Sequence, residues 1–311
     1  MARWRRGGNP AQGVFAGIGV TVLAVAVILL AVYALQQTGA EATGARATPK
    51  PTFSFGGPAP LPTGDAATGT PTPSPTADAG SDATTPGADE RFLAVGEDAL
   101  WRGTAGACGG DAPTIEVSYD TGATWTDVTP TYRGIAQLRT LSTFGGPNAE
   151  TVADVGEDCE TQALRTFTAG EFWAPYPDEL ASSTYVDPAD DATIITPDGA
   201  IEAPCAEPWD IRARGGVVAL ICDGSAYVRD ADEWAPLVET GAAGLSVSAD
   251  GAIAIAHTVS SCDGVAISRY EDGATDETEC VGDVDPRVSG AIAFAGDALL
   301  LWFGDAVVTL G

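Results

Sequence analysis

Aspartate-glycine pairs recur through about the last two-fifths of the chain, at Asp198-Gly199, Asp223-Gly224, Asp250-Gly251, Asp263-Gly264 and Asp272-Gly273. Such pairs close tight reversals, because glycine takes φ > 0 without steric cost and a short aspartate side chain bonds the turn backbone. Between them lie short runs rich in Val, Ile, Ala, Leu, Thr and aromatic residues, and no helical apolar period persists over three turns. Candidate strands are 92–95, 99–104, 114–119, 125–128, 162–167, 217–221, 226–229, 253–257, 265–269, 291–294, 299–303 and 306–310. The fold class read from this is all-β, built of hairpins.

The charge is placed unevenly. Of the formal net charge of −28, residues 1–89 contribute nothing, with five basic and five acidic side chains. Residues 90–311 hold ten arginines, no lysine and thirty-eight carboxylates. Such a field repels phosphate backbones and anionic lipid heads, which argues against nucleic-acid binding, while a cationic partner or a divalent ion would be tolerated. The absence of lysine from this region also removes a phosphate-binding P-loop from consideration there.

Residues 14–35 carry no charged side chain and follow Arg3, Arg5 and Arg6. As a helix these twenty-two residues span about 33 Å, enough to cross a bilayer. The arginine cluster places residues 1–13 in the cytoplasm and the C-terminal region outside the cell membrane, as a single-pass signal anchor in contact with the lipid bilayer. A cleaved signal peptide, with Val32 and Ala34 before the cut, is the competing reading. Residues 36–89 are a Pro/Thr/Ala/Gly-rich segment, densest at Thr70-Pro71-Thr72-Pro73-Ser74-Pro75-Thr76. This composition packs no core and predicts a disordered, partly extended stalk.

Six cysteines, Cys108, Cys159, Cys205, Cys222, Cys262 and Cys280, all follow the apolar segment. An even number in that position suits an oxidising compartment and disulfide bonds. No C-x-x-C spacing occurs and the chain has a single histidine, His257, so a zinc site is not expected and no cofactor is inferred.

One local motif carries a structural mechanism: Ser118-Tyr119-Asp120-Thr121-Gly122-Ala123-Thr124-Trp125. Its pattern, S-x-D-x-G-x-T-W with Ser118, Asp120, Gly122, Thr124 and Trp125 at the defining positions, resembles the Asp-box, or BNR repeat, of β-propellers such as sialidases, sortilin-type receptors and photosystem II assembly factors. The resemblance implies a blade hairpin closed by the Asp120 side chain and a propeller fold. It says little about activity, since one fold hosts many functions.

Sliding the motif along the chain finds weaker copies. Thr166 to Trp173 keeps the glycine and tryptophan with Thr168 at the aspartate position, and Tyr227 to Trp234 keeps only the tryptophan. The resulting frame has about six blades, near 90–133, 134–178, 179–208, 209–242, 243–284 and 285–311. Five or seven blades, or a sandwich, stay open. In this frame Cys108 and Cys159 both fall between the second and third strands of adjacent blades. Cys205 with Cys222 and Cys262 with Cys280 are the nearest sequential pairs, and this connectivity is the favoured one of fifteen. The recurring tryptophans read as packing between blades.

A sialidase-type glycoside hydrolase needs an arginine cluster, a tyrosine activated by a glutamate, and an acid/base aspartate. Tyr270 and Glu271 are adjacent, but neighbours on a strand point to opposite faces. Arg212 and Arg214 share a face, where salt bridging explains them. No early Arg-Ile-Pro is present. His257 lies in an apolar strand without a nucleophile motif. The acidic runs at 187–191, 230–233 and 283–285 lack the spacing of a calcium loop, and no metal is expected there. The expectation is a membrane-anchored, exported binding, scaffold or assembly module for an unknown protein or carbohydrate, without catalysis. The alternative is an exported hydrolase of the sialidase type.

Overall fold

A computed structural model describes residues 85–311, apart from 239, 272, 273 and 283 and the side chains of 274–278. The expected membrane segment, 14–35, and residues 36–84 of the expected stalk lie outside the described residues. Among those described, no helix is long and apolar enough to cross a membrane.

The described residues form six antiparallel sheets in succession, spanning residues 91–127, 135–175, 185–202, 209–238, 242–281 and 290–310. Within each, strands pair in sequence order, so every blade is made from one consecutive piece of chain. This is a six-bladed β-propeller. Blades 3 and 6 have three strands; the inner strand of blade 2 is interrupted, with Ile135–Leu138 and Ser142–Thr143 both pairing Ala149–Val155.

Burial explains the sequence pattern. Strands near the middle of a blade are covered on both faces by neighbouring blades, so they read as continuous apolar runs rather than alternating ones. Ile253–His257 is buried at all five positions. Outer strands face water and alternate or turn polar, as in Thr126–Asp127 and Ala306–Leu310. Several strands missing from the expected set, such as Ala149–Val155, Asp190–Thr196 and Ala274–Val281, have Asp, Glu and Thr breaking up the apolar runs.

Apolar clusters join the blades pairwise. Trp101 of blade 1 meets Trp173 of blade 2 edge-on, ring centroids 5.9 Å apart, and both are fully buried. Ile194 and Leu220 share a cluster between blades 3 and 4, Ile221 and Leu245 between 4 and 5, Ile267 and Ile292 between 5 and 6, and Leu93 and Leu300 between 6 and 1. The last pair closes the ring without a shared blade. Cations reinforce that seam: Arg91 lies 4.4 Å over Trp302 and donates to the Gly304 carbonyl at 2.6 Å. Arg102 sits between Trp125 and Trp302, at 4.3 and 4.9 Å.

Three disulfides link Cys108 to Cys159, Cys205 to Cys222 and Cys262 to Cys280. The first ties the loops between second and third strands of blades 1 and 2. The second joins the segment after blade 3 to the second strand of blade 4, and the third stays within blade 5.

A 3-10 turn at Gly87–Asp89 precedes the first strand. Gly106 N donates to the Ala88 carbonyl at 3.0 Å and Ala105 N to the Glu90 carbonyl at 2.8 Å, extending the first blade backwards. The segment Tyr227 to Trp234 does not repeat the Ser118 hairpin. Asp230 and Glu233 pair directly across a two-residue reversal at Ala231-Asp232, and the Trp234 indole donates to the Glu202 carbonyl of blade 3 at 2.9 Å.

Candidate functional site

The inner strands of blades 1 to 4 begin around a common opening at the propeller axis. A cavity of about 370 Å³ lies there, lined by Thr85, Gln137, Arg139, Asp191, Glu207 and Trp209 among others. Its charged groups come from positions where a strand begins or is interrupted.

Asp210 is the most constrained of them. The pairing of Trp209–Arg214 with Val217–Cys222 slips by one residue between Trp209 and Arg212, a β-bulge. Asp210 takes the extra place with φ 50°, a left-handed conformation that aspartate tolerates better than most residues. The bulge turns its side chain into the interior, where the residue is 1% exposed. Asp210 Oδ2 accepts from Leu245 N of blade 5 at 2.5 Å, and Oδ1 pairs with Arg212 Nη2. Its own N–H donates to Glu90 Oε1 at 2.9 Å. Glu90 precedes the inner strand of blade 1, so this bond crosses the axis between opposite blades.

Glu90 is half-buried as a residue, but its carboxyl is enclosed beside a second carboxylate. Burial pushes that carboxyl up to about 7; Asp210 adds to the rise, while the Asp210 N–H and the guanidinium groups of Arg212 and Arg139 oppose it. Burial also raises Asp210, against the pull of Arg212 and of the Leu245 N–H. Arg139, also on the pocket wall, grips Asp154 through three hydrogen bonds, Nε to Oδ1 at 2.9 Å and to Oδ2 at 3.0 Å, and Nη2 to Oδ2 at 2.6 Å. Thr161 Oγ1 donates to the same carboxylate at 2.6 Å. The pocket therefore presents fixed, neutralised pairs deep inside and the exposed carboxylates Asp191 and Glu207 at its rim.

The residues of the Ser118 motif stand elsewhere. Strands alternate direction, so the hairpin between third and fourth strands is at the end of the blade remote from the start of the inner strand. There Asp120 accepts from Thr124 N at 2.8 Å, Thr124 Oγ1 at 2.7 Å and Ser118 Oγ at 2.8 Å. These bonds lower its carboxyl to about 2. Gly122 N donates to Ser118 Oγ at 2.9 Å with φ 89°, and the Trp125 indole donates to the Gly122 carbonyl at 3.0 Å. The side-chain polar groups of Ser118, Asp120, Thr124 and Trp125 are all used inside the turn, which makes it a structural closure.

Blade 2 repeats this geometry with different atoms. Thr166 Oγ1 takes the place of Ser118 Oγ and accepts from Gly170 N at 2.9 Å; Thr168 Oγ1 takes the place of the Asp120 carboxylate and accepts from Phe172 N at 2.8 Å. Gly170 has φ 94°, close to Gly122.

The residues weighed for catalysis are dispersed. The Tyr270 hydroxyl donates to the Leu237 carbonyl at 2.9 Å across the seam between blades 4 and 5. His257 is buried, with Nε2 2.8 Å from Ser268 Oγ, and burial lowers its pKa. Arg214 is exposed while Arg212 points to Asp210. Among the described residues, no group of three or more His, Cys, Asp or Glu side chains could hold a metal ion. The axial constellation of Glu90, Arg139, Asp154 and Asp210 escaped the sequence reading. Its one visible signal is a carboxylate placed immediately before or at the start of an inner strand.

No family model matches the chain, and no curated protein matches it. Solved structures do. YCF48 bound to a D1 peptide is 17% identical over 70% of this chain and 76% of that one, with a TM-score of 0.38. A mutant of the Aleuria aurantia lectin in complex with Fucα1-6GlcNAc is 10% identical over 72% and 95%, with a TM-score of 0.46. A Hadza microbial sialidase is 12% identical over 68% and 49%, with a TM-score of 0.35. Likeness this weak carries nothing about activity or ligand.

Proposed function

We propose that the propeller is a binding or assembly module of the cell envelope, held outside the cell membrane by residues 14–35 and spaced from it by the Pro/Thr-rich segment. Its ligand occupies the axial pocket. The observation that supports this is the pocket itself, of a size that takes a sugar ring or a short peptide end, rimmed by Asp191 and Glu207 and walled by ion pairs that cannot swing. The excess of carboxylates over arginines favours a ligand with a positive charge.

A hydrolase is the alternative, and one observation favours it: a carboxyl at about 7 beside a second carboxyl resembles an acid/base pair. Against it, both Asp210 oxygens are engaged, by Arg212 and by Leu245 N, and one Glu90 oxygen is held by a backbone N–H. These contacts commit both Asp210 oxygens to partners within the fold, as a brace between the elements that meet at the axis.

Thermal-shift screening of the full-length chain against oligosaccharides and cationic peptides tests the proposal. A ligand whose shift disappears in Asp191→Lys and Glu207→Lys supports it; a ligand indifferent to both substitutions contradicts it. Turnover of a fluorogenic sialoside, abolished by Glu90→Gln, would establish the hydrolase instead.

A further inference from the structure

Five of the six seams between blades contain an apolar cluster; among the described residues none joins blades 2 and 3. The face that blade 2 turns towards blade 3 follows from its register. Ala149, Thr166 and Trp173 pair with one another, and Ala149 and Trp173 are buried against blade 1. Their sequence neighbours Glu150, Arg165 and Ala174 therefore face the other way. Phe144 and Phe167 follow two residues after Ser142 and Arg165 at one end of this face, and Tyr176 follows two residues after Ala174 from the other direction.

These three rings form a continuous surface. Phe144 and Phe167 meet edge-on at 5.2 Å, and Phe167 and Tyr176 lie 5.8 Å apart. The Arg165 guanidinium lies 4.5 Å from the Phe144 ring centre and 5.7 Å from that of Tyr176. Phe167 remains 55% exposed. Arg165 is already taken by two carboxylates, Glu150 and Glu179, each at 2.6 Å. Glu171, on the Phe167 turn, and Asp178, next to Glu179, are exposed and add negative charge that no basic side chain of the patch offsets.

We infer that this face of blade 2 docks an extended segment of a partner protein that carries a lysine or arginine beside an aromatic or aliphatic side chain. The apolar side chain covers Phe167 and Tyr176, removing exposed ring surface from water. The cation lies among Glu171, Asp178 and the ring faces, where carboxylates and aromatic quadrupoles act in the same direction. Charge selects this occupant: a neutral glycan gains nothing from the surplus carboxylates, and an anionic one is repelled. The site is separate from the axial pocket, and its test leaves Asp191 and Glu207 intact, so either proposal can fail alone.

Fluorescein-labelled twelve-residue peptides of alternating lysine and tryptophan, lysine and serine, and glutamate and tryptophan, titrated against the full-length chain by fluorescence polarisation, test it. The lysine-tryptophan peptide is expected to bind, and Phe167→Ser to weaken it about tenfold. Glu171→Gln with Asp178→Asn is expected to weaken it about threefold. Tyr119→Ser, at an equally exposed ring on blade 1, is expected to leave it unchanged. Equal binding of the lysine-serine peptide, or indifference to Phe167→Ser, would overturn the inference. So would a glycan on an oligosaccharide array whose binding depends on Phe167 while the peptides do not bind.

Discussion

The backbone N–H of Asp210 donates to Glu90 Oε1 at 2.9 Å, joining two residues 120 positions apart in opposite blades. Burial of the Glu90 carboxyl beside Asp210 makes stability depend on pH, with the bond itself opposing the rise. Glu90 has a folded pKa of about 7, above its ordinary 4.5. A raised folded value means that the contribution is complete below about 4.5 and is lost as pH rises through 7. The melting temperature is expected to fall between pH 5 and pH 8, and the fall to be smaller in Glu90→Gln, whose amide oxygen still accepts from Asp210. Differential scanning fluorimetry across that range checks it; an equal fall in both proteins would refute the assignment to Glu90.

Asp210 separates charge from backbone geometry. Asp210→Ala leaves Arg212 and Leu245 N without their acceptor and puts alanine at φ 50°. Arg212 keeps some contact with water, so the loss is expected at about 3 kcal/mol, the low end for a broken buried pair. Asp210→Asn keeps an acceptor and a residue that tolerates the left-handed conformation, and is expected to lose about half as much. Urea titration of the two variants checks the order.

The two hairpins on blades 1 and 2 differ by one acceptor. Thr168→Asp should supply to Phe172 N what Asp120 supplies to Thr124 N, and is expected to stabilise the chain by about 0.5 kcal/mol. The converse change, Asp120→Ala, removes three accepted bonds and is expected to destabilise it. The Asp120 contribution has the opposite pH sign to that of Glu90: a carboxyl lowered from 3.8 to about 2 contributes above 3.8 and loses that contribution as pH falls towards 2. An acid titration in which Asp120→Ala falls as steeply as the parent below pH 4 would count against this.

Hairpin identity was legible in the sequence because Ser118, Asp120 and Gly122 act on atoms within four residues. Blade number was legible for a related reason: each blade is one consecutive stretch, so turn spacing reports it. The axial site was not, because Glu90, Arg139 and Asp210 meet only once the ring is closed, and no local spacing encodes an interaction across 120 residues. The lead-in at Gly87–Asp89 was lost for another cause, since Thr85-Pro86-Gly87 continues the stalk composition while the Ala88 carbonyl accepts from Gly106 N after the second strand.

Gly170 of the blade 2 hairpin packs directly against Val128, which follows the last strand of blade 1. A Cβ there would lie 2.6 Å from Val128 Cβ, and φ is 94°. Gly170→Ala is expected to destabilise the chain more than Gly282→Ala, where an added Cβ meets nothing within 4 Å. Paired thermal melts check this.

Reduction should act unequally on the three bridges. Loop closure over 51 residues, Cys108 to Cys159, corresponds to about 4 kcal/mol of chain entropy, and over 17 or 18 residues to about 3. Cys108→Ser with Cys159→Ser is therefore expected to lower the urea midpoint most. Equal midpoints for all three double variants would argue against an entropic origin.

The axial pocket as the place of ligand capture is tested most directly by photocrosslinking in the native host. A benzophenone amino acid is placed at Thr85, on the pocket wall, and in a second strain at Val308, exposed on the outer strand of blade 6. The account predicts one discrete adduct from position 85, absent from position 308 and lost in Asp191→Lys. The same adducts from both positions, or none from position 85, would contradict it.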